Sequence, residues 1–243
     1  MTLAPEAVKS CCAAVYSSAA ARFLLGDCFH PGGKALTSRL IEALDVGPGQ
    51  TVVDVASGPG TSALQLARES GCDVVAVALA PAAVDDPRVR VVAGDAEALP
   101  LDDASMDGAL CECALCTFPD KERAAAELAR VLRPGARLAL SDMLVEGPLP
   151  DELHSLQAWV ACIGDARPLA EIERLLERQG FEIEHAERHD DALATMLDRI
   201  DARLRVAGLL GADAAERGRA LAGAARAALV SGLLGYGVVV AQR

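Results

Sequence analysis

Thr51-Val52-Val53-Asp54-Val55-Ala56-Ser57-Gly58-Pro59-Gly60-Thr61 is the stretch that decides the fold. The β-branched run Thr51 to Val55 reads as a short buried strand closed by Asp54, and the pattern from about Thr61 to Glu69 reads as a helix. Between them lies a glycine-bearing turn. Strand, glycine turn and helix in this order bring backbone N–H groups to a helix N-terminus, where a ligand approaches closely only if no side chain intrudes. Gly58 and Gly60 meet that need.

Working outward, apolar runs at 73–79, 89–92, 108–111 and 137–141 read as further strands, and 181–186 and 236–241 complete the set. Helical patterns at 121–132 and 169–178 alternate with the later strands, which predicts a parallel sheet. Residues 5–25 and 34–45 read as helices separated by the turn formers Gly26-Asp27-Cys28-Phe29-His30-Pro31-Gly32-Gly33. The expectation is a single α/β domain over 1–243 with a doubly wound, Rossmann-like sheet. It divides into an N-terminal helical cap (1–46), a core (47–189), a helical insertion (190–232) and a final strand (233–243).

Composition narrows the function. Only 3% of residues are aromatic against 52% hydrophobic, so the core must be built from Ala, Val and Leu. A formal charge of -12 works against binding a polyanion, which excludes nucleic acid as the expected partner and leaves a small molecule. The N-terminus shows neither a basic segment followed by an apolar one nor a membrane-length apolar run, so the expected setting is the reducing cytoplasm. The eight cysteines are then free thiols. The insertion offers a surface for a homodimer or a small protein partner, with Leu193, Met196, Leu197 and Ile200 on one helical face; the same stripe also reads as core-facing.

Asp54, the glycine turn, Gly94-Asp95-Ala96-Glu97-Ala98-Leu99-Pro100, Asp107 and Arg133-Pro134-Gly135 follow one another over residues 50–145. In order and spacing this set resembles the class I S-adenosylmethionine-dependent methyltransferases. The resemblance implies S-adenosylmethionine as cofactor, with Asp54, Ala56, Ser57, Gly58 and Gly60 around its methionine part and Asp95 and Ala96 by the adenine. Cys111, at the end of the fourth strand, is grouped with these contacts and also reads as a buried strand residue. Chemistry in that family is largely proximity and alignment, with no triad required.

Past the fourth strand the chain reads Cys111-Glu112-Cys113-Ala114-Leu115-Cys116-Thr117-Phe118-Pro119-Asp120-Lys121. Here it is similar to arsenite methyltransferases, which carry a cysteine six residues before Pro-Asp-Lys, the place of Cys113. Ala161-Cys162-Ile163-Gly164 resembles the surroundings of a second arsenic-ligating cysteine. The resemblance implies a small thiophilic or metalloid substrate, since soft centres are held by thiolates. Cys113 and Cys162 read as ligands or as pocket lining, Cys111 as part of a buried strand, Cys72 as part of a turn, and one of Cys11 and Cys12 as a further member of a thiol group. Cys28 lies in the same loop as His30. Glu112 and His30 are the acid–base candidates, and His154, Trp159 and Asp165 are expected around Cys162. His185 and His189 read as surface residues.

Two departures matter. Ala78 stands where the second strand of the family ends in the acid that takes the ribose hydroxyls, and only residues 81–88 separate that strand from the next. Asp85 or Asp86 would have to substitute. Ala56 also replaces the first glycine of the turn. These changes open an alternative: a biosynthetic enzyme on the methyltransferase fold that no longer uses S-adenosylmethionine and catalyses an elimination or intramolecular cyclisation, alone or with a partner subunit. A non-catalytic binding protein is a third reading.

Overall fold

A computed structural model describes residues 5–153, 158, 161–208 and 212–243. Its strands are β1 Thr51–Val55, β2 Asp73–Ala78, β3 Val89–Ala93, β4 Met106–Glu112, β5 Leu132–Val145, β6 Glu182–Arg188 and β7 Leu234–Gln242, in one sheet of order β3-β2-β1-β4-β5-β7-β6. The fold is a Rossmann-like α/β fold. β1 through β5 run parallel, but β7 is antiparallel to both neighbours, so the sheet is mixed and not wholly parallel. The insertion between β6 and β7 is a pair of packed helices.

The described helices are α1 Pro5–Tyr16, α2 Ala19–Leu25, α3 Gly33–Leu44, α4 Thr61–Ser70, α5 Lys121–Val131, α6 Leu169–Arg178, α7 Asp190–Gly208 and α8 Ala212–Val230. The helix expected over 5–25 is broken in two because the Ser18 hydroxyl caps α2, accepting the Ala21 N–H at 3.1 Å. β5 is far longer than 137–141, since it gains backbone partners from β4 on one edge and from all nine residues of β7 on the other.

Helices cover both faces. Leu36, Leu40, Leu66, Leu193 and Ala228 pack on one, and Ala125, Leu128, Ile172 and Leu176 on the other. The period-2 alternation of the strands assigns faces. Val53 and Val55, Val75 and Val77, and Ala109 and Cys111 point to the α5–α6 side. Asp54, Ala78 and Glu112 therefore point to the α3–α4 side. The strand order reverses between β1 and β4, and the cleft beyond those strand ends is where open sheets of this kind bind ligands. Among the described residues no helix is long and apolar enough to cross a membrane.

Candidate functional site

A cavity of about 370 Å³ opens at that point, roofed by α1 and the loop before α3. Its size suits a small molecule. One end is the glycine turn. Ala56, Gly58 and Gly60 all have positive φ, at 59°, 51° and 77°. A Cβ at Gly58 would meet nothing nearer than a backbone oxygen at 3.9 Å, so this stretch of backbone stays open to a ligand. Gly60 is different: a Cβ there would lie 2.3 Å from Val84, whose link folds back over the turn. Gly60 supplies no side-chain cap to α4; Asp54 takes the Ala63 N–H, and the N–H groups of Thr61 and Ser62 remain for an anion.

Asp54 is 2% exposed. It accepts the Ala63 N–H, yet its Oδ2 is the one buried side-chain nitrogen or oxygen among the described residues without a hydrogen-bond partner. Burial and the nearby Glu112 push its carboxyl well above the usual range. A cationic donor entering here would satisfy it. Asp95 follows β3; its Oδ1 accepts the Glu97 N–H at 3.0 Å and its Oδ2 the Lys9 ammonium at 2.7 Å, and Lys9 also reaches Glu97 at 2.6 Å. Burial works to raise the Asp95 carboxyl, but Lys9 and the Glu97 N–H outweigh it and hold the group below its usual value.

The far end is built from thiols. Cys113, Cys116 and Cys162 lie within mutual hydrogen-bonding reach, with the Tyr16 hydroxyl 3.1 Å from Cys162 Sγ and Cys12 close by on α1. Cys113 and Cys162 adopt left-handed backbone, φ 52° and 64°, which costs a non-glycine residue roughly 1–2 kcal/mol and persists where surrounding structure enforces it. The Cys113 N–H donates to the Ser141 carbonyl at 2.7 Å, and the Ser141 hydroxyl takes the Tyr236 hydroxyl at 2.8 Å.

Cys162 Sγ donates to the Cys113 carbonyl at 3.3 Å, and hydrogen bonds from Cys113, Cys116 and Tyr16 pull its thiol well below its ordinary value. Burial and the neighbouring Cys113 and Cys162 push Cys116 up, burial and Cys162 push Tyr16 up, and burial takes the Cys12 thiol to about 12. Asp142 lies beneath, accepting the Cys116 and Met143 N–H groups at 2.7 Å each; burial and Cys162 raise its carboxyl to about 7.

Between the two ends sits a polar triad. Thr37 donates to Glu112 at 3.1 Å, His30 Nε2 lies 3.6 Å from Glu112 Oε2, and His30 Nδ1 is 3.2 Å from the Pro31 carbonyl oxygen. All three are buried from solvent except through the cavity, which His30 and Glu112 line.

The sequence-derived residues separate accordingly. Asp54, Ala56, Ser57, Gly58, Asp95, Ala96, Glu112, His30, Cys28 and Cys113 line the cavity. Cys111 does not: strand alternation turns it into the α5 face, fully buried, and it is no cofactor contact. Gly60 is covered by Val84, and Cys162 lies behind Cys113 and Tyr16 instead of on the wall. Neither Asp85 nor Asp86 replaces the missing acid. Asp85 is outside the cavity, and Asp86 is tied to Arg88 and faces Arg68. Asp165 pairs with Lys121 and Arg167. His189 is half-buried on Glu187, not a free surface group, whereas His185 is exposed. His154 and Trp159 lie outside the described residues.

Sequence reasoning missed Lys9, Tyr16, Cys116, Thr37 and Asp142. A signal existed for the first two: Lys9, Cys12 and Tyr16 fall at i, i+3 and i+7, one face of α1. Among the described residues no three His, Cys, Asp or Glu side chains are spaced to hold a metal ion. Cys162 Sγ instead donates to the Cys113 carbonyl at 3.3 Å and meets the Tyr16 hydroxyl at 3.1 Å.

Residues 53–140 match the family model described as a methyltransferase domain. An arsenite methyltransferase of Halobacterium salinarum is 32% identical over 56% of this chain and 38% of that protein. This chain spans less than two thirds of the first curated relatives it matches. Among solved structures, the [4+2]-cyclase SpnF superposes with TM-score 0.73 at 20% identity over 94% of this chain and 96% of that one. A Haemonchus contortus phosphoethanolamine N-methyltransferase 2 in complex with S-adenosyl-L-methionine gives TM-score 0.77 at 18% identity, over 95% and 56%. At these identities the structures speak for the fold alone.

Proposed function

We propose that this methyltransferase-fold chain binds S-adenosylmethionine at the glycine turn and methylates a small thiophilic acceptor of the metalloid class, with arsenite as the model compound. The observation that carries the reading is the meeting of Cys113, Cys116 and Cys162 beside the cavity, two of them in enforced left-handed backbone.

The residues fit the cofactor's amino-acid end. Asp54 Oδ2 suits its ammonium, the Thr61 and Ser62 N–H groups at the start of α4 its carboxylate, and Asp95 and Ala96 flank the place for adenine. When bound, the cofactor supplies a sulfonium methyl open to in-line attack. The chain's own work is to hold the acceptor atom on sulfur, beginning with Cys113 on the cavity wall, and to keep bulk water away beneath α1.

Calorimetry with S-adenosylmethionine, followed by mass spectrometry of arsenite incubated with enzyme and cofactor, tests the proposal. Saturable binding and methylated arsenic are expected. No heat at millimolar cofactor would sink it.

A second reading has its own support in Ala78 and the apolar strand end beside it: the cavity hosts an elimination or intramolecular cyclisation with His30 and Glu112 as the acid–base pair. Glu112→Gln separates the two. Methyl transfer to a thiolate-held atom needs no general base, so turnover falls less than about tenfold; acid–base catalysis predicts a loss of about a hundredfold or more.

A further inference from the structure

The end of β2 is where a nucleotide's sugar is read in open α/β sheets, because a carboxylate at that point can accept from a ribose hydroxyl. In this chain the wall there is Ala78, Leu79, Ala80, Pro81 and Ala82, all lining the cavity and none carrying a polar side chain. The backbone offers little more. The Val77 carbonyl already accepts the Ser57 N–H at 3.0 Å, and the Ala78 carbonyl the Gly94 N–H at 3.0 Å.

The acids of the following link are also unavailable. Asp86 is held by the Arg88 side chain and N–H, with Arg68 beyond, and Asp85 does not reach the cavity. The link crosses back so that Val84 covers Gly60, placing a methyl where a polar side chain would have to pass. Asp95, the nearest cavity-lining acid beyond this wall, has both oxygens engaged.

From this we infer that the donor pocket does not read the ribose hydroxyls: Ala78 is the specificity-determining position, and the site accepts adenosyl ligands lacking the 2′ and 3′ hydroxyls as well as those that carry them. The inference rests on the donor assignment made above and adds which part of the donor is recognised. Recognition falls to the amino-acid end, through Asp54 and the open backbone at Gly58, and to the base.

The test is calorimetric, on the full chain, with S-adenosylhomocysteine and its 2′,3′-dideoxy analogue. A lost hydrogen bond to a charged acceptor weakens binding about ten- to hundredfold, so a pocket without one should bind the two within about threefold. A dideoxy analogue more than about tenfold weaker overturns the inference while leaving the donor site standing. Failure of both compounds to bind at millimolar concentration overturns the donor assignment and the inference with it. Ala78→Asp should tighten S-adenosylhomocysteine about tenfold or more and leave the dideoxy analogue unchanged. Equal effects on both would count against position 78. Because Ala78 is buried, circular dichroism must first show that the variant folds; if it does not, the comparison on the unmodified chain decides alone.

Discussion

The two ends of the cavity are built on opposite plans. At the thiol end, buried groups are held at a cost: Cys113 and Cys162 in left-handed backbone, and Asp142 raised to about 7. At the nucleotide end the wall is bare apolar surface, and the acid that remains, Asp95, is engaged by Lys9 of the roof helix. Strain and buried charge survive in a fold where surrounding contacts enforce them, and they concentrate at sites of function. Asp54 and Ala56 carry the same features at the glycine turn, so what stands apart is the bare wall at 78–82.

The largest expected effect tests whether the ends are separable. Cys113→Ser combined with Cys162→Ser should abolish arsenite binding in calorimetry while S-adenosylhomocysteine affinity stays within about threefold, since hydroxyls are poor ligands for a soft centre. Loss of both affinities together would show one continuous site. The next effect is on stability, and the ends should titrate in opposite senses. Asp142 has a folded-state value raised from 3.8 to about 7, so its protonated form belongs to the fold. Its contribution is complete below about pH 4 and is lost as pH rises through 7, on the order of 4 kcal/mol in all. Asp95 is lowered, so its contribution is present above its ordinary value and lost as pH falls. Urea unfolding between pH 4 and 8 should show Asp142→Asn flattening the neutral-side decline. An unchanged slope would mean that Asp142 ionises without strain.

Legibility in the sequence followed the range of the contacts involved. Strand β1, the glycine turn and helices α4 and α6 could be read because their signals are local: β-branched runs, glycines and amphipathic spacing, with α6 observed at the expected Leu169–Arg178. The full length of β5 could not, because its ends are set by pairing with β7. In the candidate site, Asp54 and Cys113 stood out from short motifs, whereas Thr37 and Glu112 meet across 75 positions and Tyr16 and Cys162 across 146. Nothing in a local pattern announces such meetings. Cys111 misled for a related reason: being next to a site residue along a strand puts a side chain on the opposite face.

Lys9 sharpens the comparison further. It is a polar tie between α1 and the nucleotide end, with 14% of its side chain exposed and its partners Asp95 and Glu97 at 33% and 11%. Burial lowers its ammonium, but the two carboxylates overcome that and raise it. Lys9→Met should loosen α1 and lower stability by about 1 kcal/mol, the upper range for a partly screened pair. Hydrogen exchange should show faster opening of α1 at its Lys9 end and no change at the Cys162 backbone. Uniform acceleration along the helix would mean that the roof is docked as one piece, by both ends of the cavity.

The smallest effect concerns the turn itself. Ala56 has φ 59°, a left-handed conformation that disfavours a Cβ by roughly 1–2 kcal/mol, while glycine there would lose up to about 1 kcal/mol more chain entropy on folding. Ala56→Gly should therefore raise stability by no more than about 1 kcal/mol, a shift of a few degrees at most for a chain of this size. If strain at this position belongs to the turn alone, thermal unfolding will register the gain and arsenite affinity will not move. A change in arsenite affinity would mean that the turn and the thiols are mechanically joined through β1 and β4, and that the two plans at the ends of the cavity are not independent.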